Sequence, residues 1–420
     1  MAILGQEDGR RVPYLDGLRG RAAVMVLVGH LVMMVWPTIL VAERYPAATP
    51  AWQLNLAASP LSAFWDGRLA VSIFFVLSGY VLTGAATARQ SSFVALVGKR
   101  YLRLVLPVLA ATLPTLLLKP QGWYFNHELA YVTGSNWLDS VTSSGFQPTM
   151  LGWLRNAFWV VFFIDGHTSY NALLWTMKFE WYGSLLVFLI ARLLPGRLWR
   201  LSVALLLLAV LGQVPGYAVL HLFMAGMILH DATVMMRAWQ GDRPPSSSLV
   251  GDVAGIFLVG LGFYLPRLIM MMIDAQGTSL MALLWLRQAL PSWQGDRWML
   301  AAIPVVVGVL LSPKLRYFLS NSLGRFLGKI SFPLYLFHLP VILSLGSWLL
   351  LSLLSRTNLI PAALVAFAVT ASVALLIAWI MTILVEAPTL RLAGRFGALI
   401  DRAWAWICPW YRVLPIKGAA

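Results

Sequence analysis

From Ala22 to Leu40 the chain carries no charged side chain, and His30 is the one titratable group in that run. Comparable apolar stretches recur about ten times, at 22–41, 68–87, 104–118, 172–191, 199–213, 216–236, 249–273, 298–312, 330–354 and 361–385. A helix needs about 20 apolar residues to cross ~30 Å of hydrocarbon, and most of these runs approach that length. The pattern predicts an all-α polytopic membrane bundle of about ten transmembrane helices. A polar segment over 1–21 precedes a transmembrane domain over 22–388, and an amphipathic tail follows over 389–420. The longest stretch between runs, 119–171, holds an apolar piece, Leu151–Ile164, that is too short to cross and is interrupted by Arg155. That piece is expected to lie in the interface or to dip in re-entrantly on the outer side.

Composition agrees, at 60% hydrophobic and 11% charged residues. The net charge of +15 changes the picture only in one respect. Most of the basic residues fall in short loops on one side of the predicted spans, such as Arg10, Arg11, Arg19 and Arg21, then Lys99, Arg100 and Arg103, then Arg325 and Lys329. Such an excess marks the cytosolic side, so both termini are placed in the cytosol. Nucleic-acid binding is not indicated. The first apolar run is followed by Glu43 and Arg44 without a cleavage site and reads as an uncleaved span. The single Cys408 excludes a disulfide framework, and no pair of the six histidines has metal-ligand spacing, so no metal is expected. Trp123, Tyr124, Trp137, Trp153 and Trp159 suit an interfacial belt better than sugar stacking, which such aromatics also suit. The Gly, Asp, Pro and Ser residues of 241–248 suit a solvated loop. Gly255, Gly260 and Gly262 sit inside a span and suit close helix packing. In the tail, Phe396, Leu399, Ile400, Ala403 and Trp404 oppose Arg395 and Arg402, a pattern for a helix lying on the inner leaflet.

Ionisable groups inside spans are costly and mark candidate chemistry. Arg19 and His30, eleven residues apart, fall on nearly one helix face, about three turns and ~16 Å apart along the axis. Lys99, Arg100 and Arg103 open the third span on the same membrane side. Arginine forks at one mouth suit a polyphosphate ligand, whereas Arg21 and Lys99 read better as topology charges. Lys178 and Glu180 sit two residues apart in the fourth span and point about 160° away from each other, so each needs a partner elsewhere. Glu180 could orient His30 or pair with an arginine. His338 lies between Pro333 and Pro340, which suggests a kinked helix beside a cavity.

These residues fall in recognisable blocks. Tyr14-Leu15-Asp16-Gly17-Leu18-Arg19-Gly20 with His30 resembles the opening signature of the acyltransferase-3 family of integral membrane acyltransferases. Phe74 through Tyr80, Arg100 through Arg103 with Pro107, Leu174 through Glu180, Ser331 through Pro340, and Val385-Glu386-Ala387-Pro388 resemble its later blocks, in order. Lys178 and Pro333 depart from the usual pattern. The resemblance implies transfer of an acyl group, usually acetyl, from cytosolic acyl-coenzyme A to a hydroxyl, usually on a saccharide or glycolipid at the outer face, with glycan-export or biosynthesis proteins as partners. It implies Arg19, Arg100 and Arg103 as holders of the coenzyme A phosphates, and His30, Glu180 and His338 as the catalytic group. Asp16, Ser78, Trp175 and Tyr335 then belong to the substrate-binding surface. His30 would act as general base on the acceptor or take the acyl group covalently, and either role needs a neutral imidazole. A transporter or flippase of a glycan, and a regulatory partner of an export complex, are the competing classes.

Overall fold

The computed structural model describes residues 12–40, 50–88, 91–164, 169–214, 216–240, 249–274 and 297–407. The loop at 241–248, Glu43, Arg44 and Cys408 lie outside them. Among the described residues the elements are helical, as the apolar pattern predicts. They are α1 (Pro13–Val35), α2 (Ala51–Ala58), α3 (Gly67–Thr87), α4 (Phe93–Leu118), α5 (Asn126–Thr133), α6 (Asn136–Ser140) and α7 (Met150–Arg155). There follow α8 (Trp175–Leu193), α9 (Arg197–Leu211), α10 (His221–Gln240), α11 (Leu249–Asp274), α12 (Arg297–Leu311) and α13 (Pro313–Leu319). The chain closes with α14 (Ser322–Val341), α15 (Ser347–Leu354), α16 (Leu359–Met381) and α17 (Ala387–Ile407). Among these residues eight helices are long and apolar enough to cross a bilayer, or nine if α12 and α13, bent by 98°, form one span. Each expected span has a helix at its place. The two short ones, α9 and α12, have 15 residues each.

Several boundaries differ from the apolar pattern, three of them with consequences for the site and the tail. Helix α1 begins at Pro13, whose fixed φ and missing N–H suit a first helical position, so Asp16, Arg19 and Arg21 are helical. Helix α4 begins at Phe93, capped by the Ser92 hydroxyl on Ala95 N, and already contains Lys99, Arg100 and Arg103. Both helices tolerate charge in their early turns because those turns face other helices. The tail continues the last span: α16 runs through a π turn, Thr382–Glu386, into α17. Phe396 and Ile400 of α17 close over Gly98, and Asp401 accepts from Ser92 N at 2.7 Å, which fastens it to the start of α4.

Helix α1 lies at the centre, against α14, α3, α13 and α16. Glycines set its distance from α14. A Cβ on Gly20 would fall 2.4 Å from the Leu327 carbonyl carbon, and one on Gly328 would fall 2.5 Å from the Asp16 carbonyl oxygen. Without a hydrophobic drive between helices in lipid, such backbone approach supplies van der Waals contact. The same device joins α3 to α10 at Gly79 and Gly226, and α11 to α12 at Gly255 and Gly308. Gly262 also packs closely, on Val305, whereas Gly260 faces open space and takes no part.

Over the C-terminal end of α1 sits a cap made by α5 and α6. Phe125 N donates to the Leu343 carbonyl at 2.8 Å, in the π turn Ile342–Gly346 that follows α14, and the Ser135 hydroxyl donates to the Met33 carbonyl at 2.8 Å. The apolar piece Leu151–Ile164 is a helix, α7 continued as a π helix over Asn156–Ile164, lying against α4 and α8. Trp153 donates its indole N–H to Thr112 Oγ1 at 2.9 Å, so this Trp is tied to α4.

Candidate active site

Two chambers lie between α1, α3, α8 and α14, one toward each end of the bundle. The first, about 570 Å³ including its open mouth, is lined by Arg19, Arg100, Arg103 and Glu180 with Phe74, Met177 and Ser331 among its other walls. Arg100 pairs with Glu180 and donates through Nε to Ser184 Oγ at 2.7 Å. Ser78 donates to the same carboxylate at 2.8 Å. Glu180 is therefore satisfied by α3 and α4, and it holds Arg100 in place at the chamber wall. Arg19 Nε is buried without a hydrogen-bond partner. Arg19 thus brings to this chamber a buried guanidinium N–H that an acceptor would satisfy. Three arginines against one carboxylate leave the lining cationic, which fits an anionic group with several oxygens.

Arg21 and Lys99 do not line this chamber. Arg21 lies over the Phe318 ring at 4.5 Å and donates to the Gly17 carbonyl, and Lys99 donates to Ser91 Oγ at 2.6 Å. Lys178 leaves the opposite face of α8 and donates to the Ile164 carbonyl at 3.1 Å.

The second chamber, about 920 Å³ with its mouth, is lined by His30, Val26, Met33, Leu40, Leu173 and Trp175, with Asp66 and Arg68 at its polar edge. Asp66 caps α3, accepting from Arg68 N at 2.8 Å, and also takes the Arg68 guanidinium at 2.7 Å. His30 is half-buried, and its Nδ1 lies 2.8 Å from Nε2 of His338, which is fully buried. His338 Nδ1 lies 2.8 Å from the Leu334 carbonyl oxygen. A carbonyl only accepts, so His338 Nδ1 carries the proton. In a neutral ring its Nε2 then accepts, and the donor must be His30 Nδ1–H. The relay leaves His30 Nε2 with the lone pair. Trp137 of α6 lies parallel on the His30 ring, with centroids 5.0 Å apart and planes within 6°.

The local fold of α14 that presents His338 has a visible cause. Pro340 has no N–H to give the Leu336 carbonyl, and Asn171 Nδ2 supplies that bond instead at 2.9 Å. Of the two partners expected for His30, the structure brings His338; Glu180 stands in the other chamber. Asp16 packs against Gly328 one turn before Arg19, and Trp175 and Tyr335 line the His30 chamber. No group of three or more His, Cys, Asp or Glu is arranged to hold a metal among the described residues.

A family model for the acyltransferase domain matches residues 12–379. The chain belongs to the acyltransferase-3 family. O-acetyltransferase PaAT-1 of Phomopsis amygdali is similar to this acyltransferase, 25% identical over 377 residues, which cover 79% of this chain and 72% of that protein. No solved structure matches it. The imidazole lone pair of one chamber is a proton acceptor or nucleophile, and the neighbouring chamber has a cationic lining. Trp137, which the chain pattern placed in an interfacial belt, stacks on His30 instead. Nothing in its sequence neighbourhood, a short polar stretch far from His30, distinguishes it.

Proposed function

We propose that this integral membrane acyltransferase moves an acetyl group from cytosolic acyl-coenzyme A to a hydroxyl of a saccharide or glycoconjugate at the outer face of a bacterial inner membrane, with both termini in the cytosol. The observation that carries the reading is the His30–His338–Leu334 relay, which fixes a lone pair on His30 Nε2. Arg19, Arg100 and Arg103 are the groups for the donor's phosphates, and the unpartnered Arg19 Nε supports that assignment. In the direct route, His30 Nε2 takes the acceptor's proton while the acceptor oxygen attacks the thioester carbonyl. The C–S bond breaks and the thiolate leaves, to be protonated by the imidazolium. In the covalent route, Nε2 attacks first and the thiolate leaves; the acceptor oxygen then displaces the imidazole, and the hydroxyl proton passes to the released Nε2 and on to the thiolate.

The name of the Phomopsis relative supports acetyl as the group and oxygen as the acceptor atom. The test is incubation of membranes with radiolabelled acetyl-coenzyme A, followed by separation of lipid and glycan fractions. Label in a glycan or glycolipid fraction, abolished by His30→Ala in a variant that still inserts, is the expected result. Full labelling in that variant would remove the mechanism.

A further inference from the structure

The two chambers share lining residues at one level of the bundle. Val71 of α3 and Tyr335 of α14 line both. Phe74, one turn along α3 from Val71, meets the Tyr335 ring edge to face at 5.9 Å. The Tyr335 hydroxyl lies 3.0 Å from Thr176 Oγ1 and donates to the Leu173 carbonyl at 3.1 Å, both on the α8 side. Both shared side chains are buried. They form a wall from α3 across α14 to α8, with the arginines on one side and His30 on the other.

In the reading above, the donor's phosphates are held in the arginine chamber while its acyl group reacts at His30. The thioester end must then pass Val71 and Tyr335. We propose that these two residues select the donor by the girth of its acyl group. A straight acyl chain is no wider than the extended arm that carries it, so acetyl and butyryl pass alike. A branch beside the carbonyl, or an aromatic ring, is wider and is stopped. The chamber beyond does not impose that limit. With its mouth it encloses about 920 Å³, and its walls of Val26, Met33, Leu40 and Trp175 offer apolar surface to a wider group. Selection by shape at an apolar wall is worth roughly 10–200-fold per misplaced carbon group.

The experiment compares acetyl-, butyryl-, isobutyryl- and benzoyl-coenzyme A, radiolabelled in the acyl group, on membranes carrying the full chain. Wild type is expected to transfer the first two at similar rates and the last two at least about tenfold more slowly. Val71→Ala, which only removes two methyl groups, should raise the benzoyl-to-acetyl ratio about tenfold. Inhibition by free coenzyme A, which has the phosphates but no acyl group, should stay within about twofold of wild type, since the arginines are untouched. Tyr335→Phe keeps the ring and removes the two hydroxyl bonds, so it should shift the ratio less than Val71→Ala. If wild type transfers acetyl and Val71→Ala leaves the ratio within about twofold, the wall is not the selector. If wild type uses no thioester at all, the acyl-coenzyme A reading is wrong, and the proposed role for the wall goes with it.

Discussion

At the residue scale the proposed chemistry turns on one nitrogen. His30 Nδ1 is committed to His338, and His338 Nδ1 to a helix carbonyl, so neither ring can change tautomer without breaking a bond at 2.8 Å. His338→Ala removes the acceptor and lets the His30 ring turn. The expected loss is on the order of 10²-fold or more in turnover, by analogy with other residues that orient a catalytic histidine. His338→Gln offers an amide oxygen near the lost Nε2 and should recover part of that loss, and turnover measured in membranes from the two variants checks the order. If Ala and Gln are equally impaired, His338 acts by bulk rather than by accepting a proton bond. Trp137→Ala should cost less, about tenfold, because stacking limits only the tilt of the ring. Part of this was legible in the chain. The shared face of Arg19 and His30 is helix arithmetic, and His338 between two prolines pointed to a cavity. The pairing of Glu180 with Arg100, and not with His30, was not legible, because the sequence left both open and only the crossing of α3, α4 and α8 decides it.

At the scale of elements, helix spacing is set by where a Cβ cannot fit. Gly20→Ala places a methyl against the backbone of α14, which cannot yield as a flexible side chain would. The expected cost is about 1–3 kcal/mol, seen as a lower temperature of inactivation in detergent. Gly260→Ala is the control, since open space surrounds that position. There the variant should be neutral or slightly more stable, as Ala is about 1 kcal/mol the better helix former. The kink of α14 gives a sharper test. Asn171→Leu leaves the Leu336 carbonyl without its donor, at about 1–3 kcal/mol for a buried acceptor. Pro340→Ala restores a backbone N–H for that carbonyl, so the double variant should be more stable than Asn171→Leu alone; additive losses in thermal inactivation would sever the two. Apolar periodicity found each spanning helix but put the starts of α1 and α4 about three turns late, since those turns carry charge on faces turned toward protein. The long stretch over 119–171 was legible as non-spanning. Its docking over His30, through Ser135 and Phe125, rests on two bonds that leave no mark in local sequence.

For the whole molecule, the decisive property is that the two chambers lie toward opposite ends of the bundle, with α1 bearing a residue of each. A transmembrane acyl relay needs those ends to face different compartments. The helix best suited to test this is the continuous one over Ser322–Leu354, whose 33 residues extend about 50 Å, well beyond ~30 Å of hydrocarbon. It must therefore present its two ends to the two sides. Arg325 near its start and Arg356 just past its end are both exposed, and neither lines a chamber. In a chain whose Cys408 is replaced by Ser, single cysteines at these two positions should react with a membrane-impermeant maleimide from opposite sides. In the proposed orientation Arg325 and the arginine chamber face the cytosol, so Arg356→Cys should label in intact cells and Arg325→Cys only after lysis. Labelling of both from outside would mean that the arginine chamber cannot draw on cytosolic donor. Labelling in the reverse sense would turn the relay around, with His30 and its chamber facing the cytosol.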